Sequence, residues 1–163
     1  MPSRRWPLER FASLARRIAQ AGWRIVLTGA LIERTLAQRL LSTLRDGGSD
    51  AVDLTGQTSL GTLAALLSHA RLLICNDTGV SHVAAAVGTP SVVVACGSDT
   101  ARWAPLDGAR HRVLAHDIAC RPCAHIECSI GHPCALAIGV DDVFTHVHRA
   151  LAEAPSEFAS HAL

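Results

Sequence analysis

Two groups of residues in this 163-residue sequence have types and spacings that can do chemistry. The first is the run Cys75-Asn76-Asp77-Thr78-Gly79-Val80-Ser81-His82. A short apolar stretch, Leu72 to Cys75, leads through turn residues into a small-residue helix that passes Ala84-Ala85-Ala86 and ends at Gly88. A helix N-terminus gathers amide N–H groups without intrahelical partners at the positive end of the macrodipole, so its natural ligand is an anion such as a phosphate. Asp77 or Thr78 is placed to cap this helix, and Gly79 lets a ligand approach the backbone. His82 falls one helical turn after Thr78, on the face that starts at the cap. The same run also fits an ordinary strand-to-helix connection whose histidine bonds to backbone.

The second group is Cys120-x2-Cys123-x4-Cys128-x5-Cys134, with His116, His125 and His132 close by. Four deprotonated thiols at such spacing can hold a tetrahedral zinc ion. Only the first pair has the two-residue gap of common zinc sites, so reduced structural cysteines in a loop are the alternative, and an iron–sulfur cluster is a third reading. Cys75 and Cys96 stand at strand ends and read as buried small hydrophobes.

The elements that must position these groups alternate in type. Leu8 to Ala21 carries Leu8, Phe11, Leu14, Ala15 and Ile18 at helical spacing, with Pro7 at its start and Gly22 at its end. Arg24 to Thr28 reads as a strand, Leu31 to Arg45 as a helix, and Ala51 to Leu54 as a strand after the Gly47-Gly48 break. Ser59 caps a helix through Ser68, and strands follow at Arg71 to Cys75, Ser91 to Ala95 and His111 to Leu114. Val140 to Ala152 is a closing helix. Alternating strands and helices imply a parallel sheet with helices on both faces. A doubly wound nucleotide-binding domain opens with a strand in the middle of its sheet, whereas this sequence opens with a helix. The expectation is a Rossmann-like α/β domain over residues 1–154 that lacks its first strand, followed by a tail over 155–163.

Composition sets outer bounds. With 49% hydrophobic and 18% charged residues, the sequence is that of a globular domain with a real core. It has no apolar run near the ~20 residues that span a bilayer, and Met1-Pro2-Ser3-Arg4-Arg5-Trp6 lacks the apolar centre of a signal peptide, so a cytoplasmic location is expected. A net charge of +1 gives no polyanion footprint, although all fifteen basic residues are Arg. That bias fits a genome rich in Arg and Ala codons and carries no functional reading.

Asp77-Thr78-Gly79-x-x-His82-x-Ala84-Ala85-Ala86-x-Gly88-x-Pro90, followed by Ser98-Asp99-x-x-Arg102-Trp103-x-Pro105, resembles the nucleotide-sugar-binding half of family 9 glycosyltransferases, the lipopolysaccharide heptosyltransferases. The resemblance runs from Arg4-Arg5-Trp6-Pro7 to about Ala150. It implies the C-terminal half of a GT-B enzyme, in which two Rossmann-like domains share the work and the C-terminal one holds the donor. Asp77, Thr78, Gly79 and His82 match the family's diphosphate and sugar contacts. Arg4 stands where the family carries a basic residue near the phosphates, usually Lys, so the charge is kept and the geometry changes. Gly29 and Glu33 match a turn and an acid that hydrogen-bonds the ribose, and Gly56, Gln57 and Thr58 lie where the family packs against adenine. Glu33 equally suits a helix N-terminus. Asp99, Arg102 and Trp103 match a segment near the interdomain cleft, and equally fit plain packing.

The resemblance further implies transfer of heptose from ADP-heptose to the lipopolysaccharide inner core with inversion, with no required cofactor. His82 and Arg4 would stabilise the leaving group, while the general base and the acceptor contacts would belong to an N-terminal domain that this sequence lacks. The full enzyme would associate peripherally with the membrane; this chain alone would bind ADP weakly and transfer nothing. Three alternatives stay open: a different nucleotide sugar, a non-catalytic remnant, or a zinc-stabilised module that binds nucleic acid or protein. The last predicts basic residues among the thiols, and only Arg121 is basic there apart from the histidines, so no nucleic-acid partner is expected.

Overall fold

Ser91-Val92-Val93-Val94 forms a strand in which no residue is accessible to solvent. Alternate side chains of a strand point to opposite faces, so both faces of this one are covered. That is the environment expected of a central strand in a parallel sheet. The computed structural model describes residues 1–153, and the tail over 155–163 lies outside the described residues. The strands are β1 (Ile25–Leu27), β2 (Ala51–Asp53), β3 (Leu73–Asn76), β4 (Ser91–Val94) and β5 (His111–Leu114). The helices are α1 (Leu8–Gln20), α2 (Arg34–Asp46), α3 (Leu60–Ser68), α4 (Gly79–Val87), α5 (Thr100–Trp103), α6 (Pro133–Leu136) and α7 (Val140–Glu153), with 3₁₀ turns at Pro2–Arg4 and Leu31–Glu33.

Internal contacts divide the chain into two compact units. The larger holds Met1–Trp6 and the chain from Ala64 onward; the smaller is Pro7–Leu63. In the larger unit β3, β4 and β5 pair in that order, all parallel, with Cys75 opposite Val93 and Val93 opposite Val113. Helices α4 and α7 pack on β4, and Val143, Val147 and Ala150 of α7 are buried. Helix α4 ends as its sequence dictates. Gly88 takes φ +78°, a left-handed conformation that lets its amide and that of Thr89 bond back to Ala85 and Ala84.

In the smaller unit β1 and β2 form a two-stranded parallel ladder with Val26 opposite Val52. Helices α1 and α2 pack on each other and on this ladder, burying Ala12, Leu14, Ile18, Leu41 and Leu44. The ladder's other face is open: Val26 is 41% and Val52 50% exposed.

Most elements stand where periodicity places them, within a residue or two at their ends. The helix expected from Leu31 instead opens as a 3₁₀ turn and becomes α-helical only at Arg34. Glu33 explains the change, because its carboxylate folds back to accept the Ala30 amide at 3.0 Å. Ser59 caps α3 as expected, accepting the Thr62 amide at 3.1 Å.

Candidate functional site

The anion site of the sequence reading lies where β3 ends and α4 begins. Asn76 is the last residue of β3, and the Asp77 amide still donates to the Val94 carbonyl at 3.2 Å, extending the ladder by one bond. Thr78 is then the N-cap residue by backbone, but the expected side-chain cap is absent: neither Asp77 nor Thr78 caps α4. The Thr78 hydroxyl turns back to the Asn76 carbonyl at 3.4 Å, and the Ser81 amide and hydroxyl both donate to the Thr78 carbonyl. The first-turn amides of Gly79 and Val80 are among those that helix geometry leaves without an intrahelical acceptor. A side chain added at Gly79 would meet nothing within 4 Å, so the backbone there faces open space. His82 is exposed and makes no hydrogen bond among the described residues. Such a turn presents N–H donors, the helix dipole and an imidazole, and it suits an anionic group arriving from solvent.

The site is open surface. Two clefts, of about 330 Å³ and 350 Å³, include none of Asp77, Thr78, Gly79 and His82. Cys75, just behind the turn, is no nucleophile: burial, and then the Asp77 charge, push its thiol up to about 12.

Arg4 belongs to the same unit, in the segment Ser3–Trp6. The Trp6 amide donates to Asn76 Oδ1 at 2.8 Å, which fixes the segment beside the residue that precedes Asp77. Trp6 is 2% exposed and its indole N–H donates to the Ile138 carbonyl at 2.9 Å. Arg4 Nη2 donates to the Cys123 carbonyl at 3.1 Å, while Arg4 Nε is buried without a partner among the described residues.

Gly29, Glu33, Gly56 and Thr58 fall in the smaller unit. The Gly56 amide donates to the Gly29 carbonyl at 2.8 Å, so these two glycines are neighbours. Glu33 Oε2 lies 3.0 Å from where a Gly29 Cβ would stand. Gly56 has φ +72°, and a Cβ there would come within 2.9 Å of Leu31 Cδ1. Its lack of a side chain is thus already required by backbone and packing. Thr58 is half-buried, and Gln57 Nε2 donates to the Asp53 carbonyl at 2.9 Å. Asp99 caps α5 by accepting the Arg102 amide at 3.3 Å, and Arg102 lies over the Trp103 ring at 5.0 Å.

Among the described residues no three His, Cys, Asp or Glu side chains are arranged to hold a metal ion. Cys123 and Cys134 are buried against Gly97, where an added Cβ would stand 3.0 Å from Cys123 Cβ and 3.9 Å from Cys134 Sγ. Cys128 Sγ accepts the His132 amide at 3.2 Å, and Cys120 is exposed. The loop's ordered contacts run instead to the N-terminal segment, through Ser3, Arg4 and His132. Sequence reading gave Ser3, Trp6, Asn76 and His132 none of these roles, because each acts through a partner distant in the chain. The left-handed backbone of His132, φ +61°, follows Gly131 and precedes Pro133; that Gly-His-Pro triplet was the only local signal.

Fold and site together define an α/β protein with an open helix N-terminus, without a side-chain cap, at the C-terminal end of a parallel strand. Residues 1–134 match the model of glycosyltransferase family 9 (heptosyltransferase), and the chain belongs to that family. It is 32% identical over 95 residues to lipooligosaccharide heptosyltransferase 2 of Haemophilus ducreyi, covering 58% of this chain and 27% of that protein. It is 29% identical over 128 residues to lipopolysaccharide heptosyltransferase 1 of Pseudomonas aeruginosa, covering 78% of this chain and 34% of that one. A solved family 9 glycosyltransferase from Veillonella parvula superposes with a TM-score of 0.79 at 26% identity, over 94% of this chain and 43% of the other. An Escherichia coli heptosyltransferase solved with ADP shares the fold, with a TM-score of 0.70 at 24% identity over 92% of this chain and 41% of that one. The matches thus span between about a quarter and under a half of each relative. No described helix is long and apolar enough to cross a membrane.

Proposed function

We propose that this chain is the donor-binding part of an inverting glycosyltransferase that moves heptose from ADP-heptose to the lipopolysaccharide inner core. The observation that carries the reading is the α4 N-terminus: a turn without a side-chain cap, open space over Gly79 and an exposed His82. Family membership supports the diphosphate of a nucleotide sugar as that anion. An Escherichia coli heptosyltransferase solved with ADP-2-deoxy-2-fluoro heptose guides the choice of donor.

In the reaction an acceptor hydroxyl oxygen attacks the anomeric carbon, the bond from that carbon to the diphosphate breaks, and the hydroxyl proton passes to a base. The departing ADP gathers negative charge on its phosphate oxygens. Amides of Thr78 and Gly79, the His82 ring and the Arg4 guanidinium supply donors for that charge. Asp77 contacts the diphosphate-sugar portion, Gly29 and Glu33 the ribose, and Gly56 and Thr58 the adenine. No residue of this chain is assigned as the base; it and the acceptor contacts are assigned to the portion of the relatives outside the match. Their cytoplasmic, membrane-peripheral placement belongs to the same reading, and no cofactor is invoked.

The test is a calorimetric titration with ADP, UDP and GDP. ADP should bind most tightly, and His82→Ala should weaken it about threefold to tenfold, the worth of one hydrogen bond to a charged group. Tighter binding of UDP or GDP would replace the donor by another nucleotide sugar. Binding of ADP that is indifferent to His82→Ala and to Arg4→Ala would remove the α4 turn from the site.

A further inference from the structure

The Cys–His loop grips the N-terminal segment at every polar atom of Ser3. The Ser3 amide donates to the Ile126 carbonyl at 3.0 Å and its hydroxyl donates to the His125 carbonyl. Its carbonyl accepts from His132 Nε2 at 2.7 Å. A carbonyl only accepts, so His132 Nε2 carries the proton. Ser3 is 2% exposed, and the loop in turn is anchored on the end of β4 by the Cys123 amide to the Gly97 carbonyl at 2.6 Å and by Arg121 Nε to the Ser98 carbonyl at 2.8 Å.

The Ser3 carbonyl and the Arg4 amide share one planar peptide unit. Whatever fixes that oxygen therefore fixes the direction in which the chain enters Arg4. His132 does so from a left-handed backbone that side chains other than glycine rarely adopt. The Trp6 amide on Asn76 closes the far end of the segment, next to Asp77. We infer that His132 is a positioning residue: its ring, acting through the Ser3 carbonyl, holds Arg4 for the diphosphate of the donor. This rests on the reading of Arg4 as a phosphate contact.

Two measurements on the full 163-residue chain test it: NMR amide exchange of Ser3 to Arg5, and calorimetric binding of ADP against adenosine, which lacks the diphosphate. His132→Ala should speed exchange of those amides and weaken ADP about threefold to tenfold while leaving adenosine unchanged. His132→Gln, whose amide can donate to the same carbonyl, should restore both, and His125→Ala, which removes a side chain the grip does not use, should alter neither. Arg4→Ala with His132→Ala should bind ADP no more weakly than Arg4→Ala alone, because the two act through one contact. Equal losses for ADP and adenosine, additive losses in the double variant, or unchanged Ser3 to Arg5 exchange in His132→Ala would each overturn the assignment. If His132→Ala shows the exchange effect but the wild-type chain binds ADP no better than adenosine, the diphosphate reading of Arg4 fails and His132 loses its role with it.

Discussion

Strands β4 and β1 are both aliphatic runs in parallel ladders, yet they meet opposite surroundings. Every residue of β4 is inaccessible, while the ladder of β1 and β2 leaves Val26 and Val52 bare on one face. Chemistry divides the same way. All the histidines and cysteines lie outside residues 7–63, so the two-stranded unit has neither. The lesson is that one unit carries the histidines and thiols on a closed sheet, and the other is a helix pair with an aliphatic core on a half-closed one. Their responses to mutation, pH and reagents should therefore separate.

The largest expected effect is in the helix pair. Leu44 is 0% exposed, and Leu44→Ala should cost about 2–5 kcal/mol in urea unfolding, because the two-stranded unit has no second covered face to share the loss. A cost below that range would mean its core is looser than its packing indicates. Next, the hydroxyl of Val93→Thr would be buried within the closed sheet and should cost about 1–3 kcal/mol, whereas Val52→Thr on the bare face should stay within about 0.5 kcal/mol. Equal costs would erase the distinction between the faces.

Mild acid, near pH 6.5, should act on one unit only. Burial is the main cause that lowers the pKa of both His111 and His146 from 6.5. His111 Nδ1 faces the Ser91 hydroxyl at 2.9 Å, and His146 Nδ1 is buried without a partner among the described residues. Below about pH 6.5 the unfolded chain takes up protons that the folded chain refuses, so stability falls as pH drops through that value. Amide exchange should show the β3–β4–β5 unit losing protection first, and His111→Asn should flatten the slope. Parallel loss in both units would show that another group governs acid sensitivity. The smallest effect concerns thiol reagents: Cys120 should alkylate first, with Cys75 and Cys96 silent until unfolding. Early labelling of Cys96 would reveal an opening of the closed sheet.

Much of this was legible in advance, for identifiable reasons. Short apolar runs between turn residues gave all five strands, most plainly β4, because a strand covered on both faces has few other sequences available. The strand-to-helix turn at Asp77 was legible because its residues are contiguous. Its cap was not: whether a threonine hydroxyl turns forward to an amide or back to a carbonyl is decided by tenths of an ångström. The 3₁₀ opening of α2 hinges on one carboxylate choosing the Ala30 amide. Ser3 and His132 are 129 positions apart, and no local pattern joins them. For the thiols, spacing tells which ligands are near in sequence, while the loop's own contacts decide where each sulfur points.

Trp6 gives the molecule an optical property. Of the three tryptophans it alone is buried, at 2% exposure against 39% for Trp23 and 47% for Trp103. Its ring is shielded from water and its backbone is tied to Asn76, the residue before Asp77. Blue-edge emission from this chain therefore reports whether the N-terminal segment is docked. A quencher in solution silences the other two indoles and leaves that signal standing.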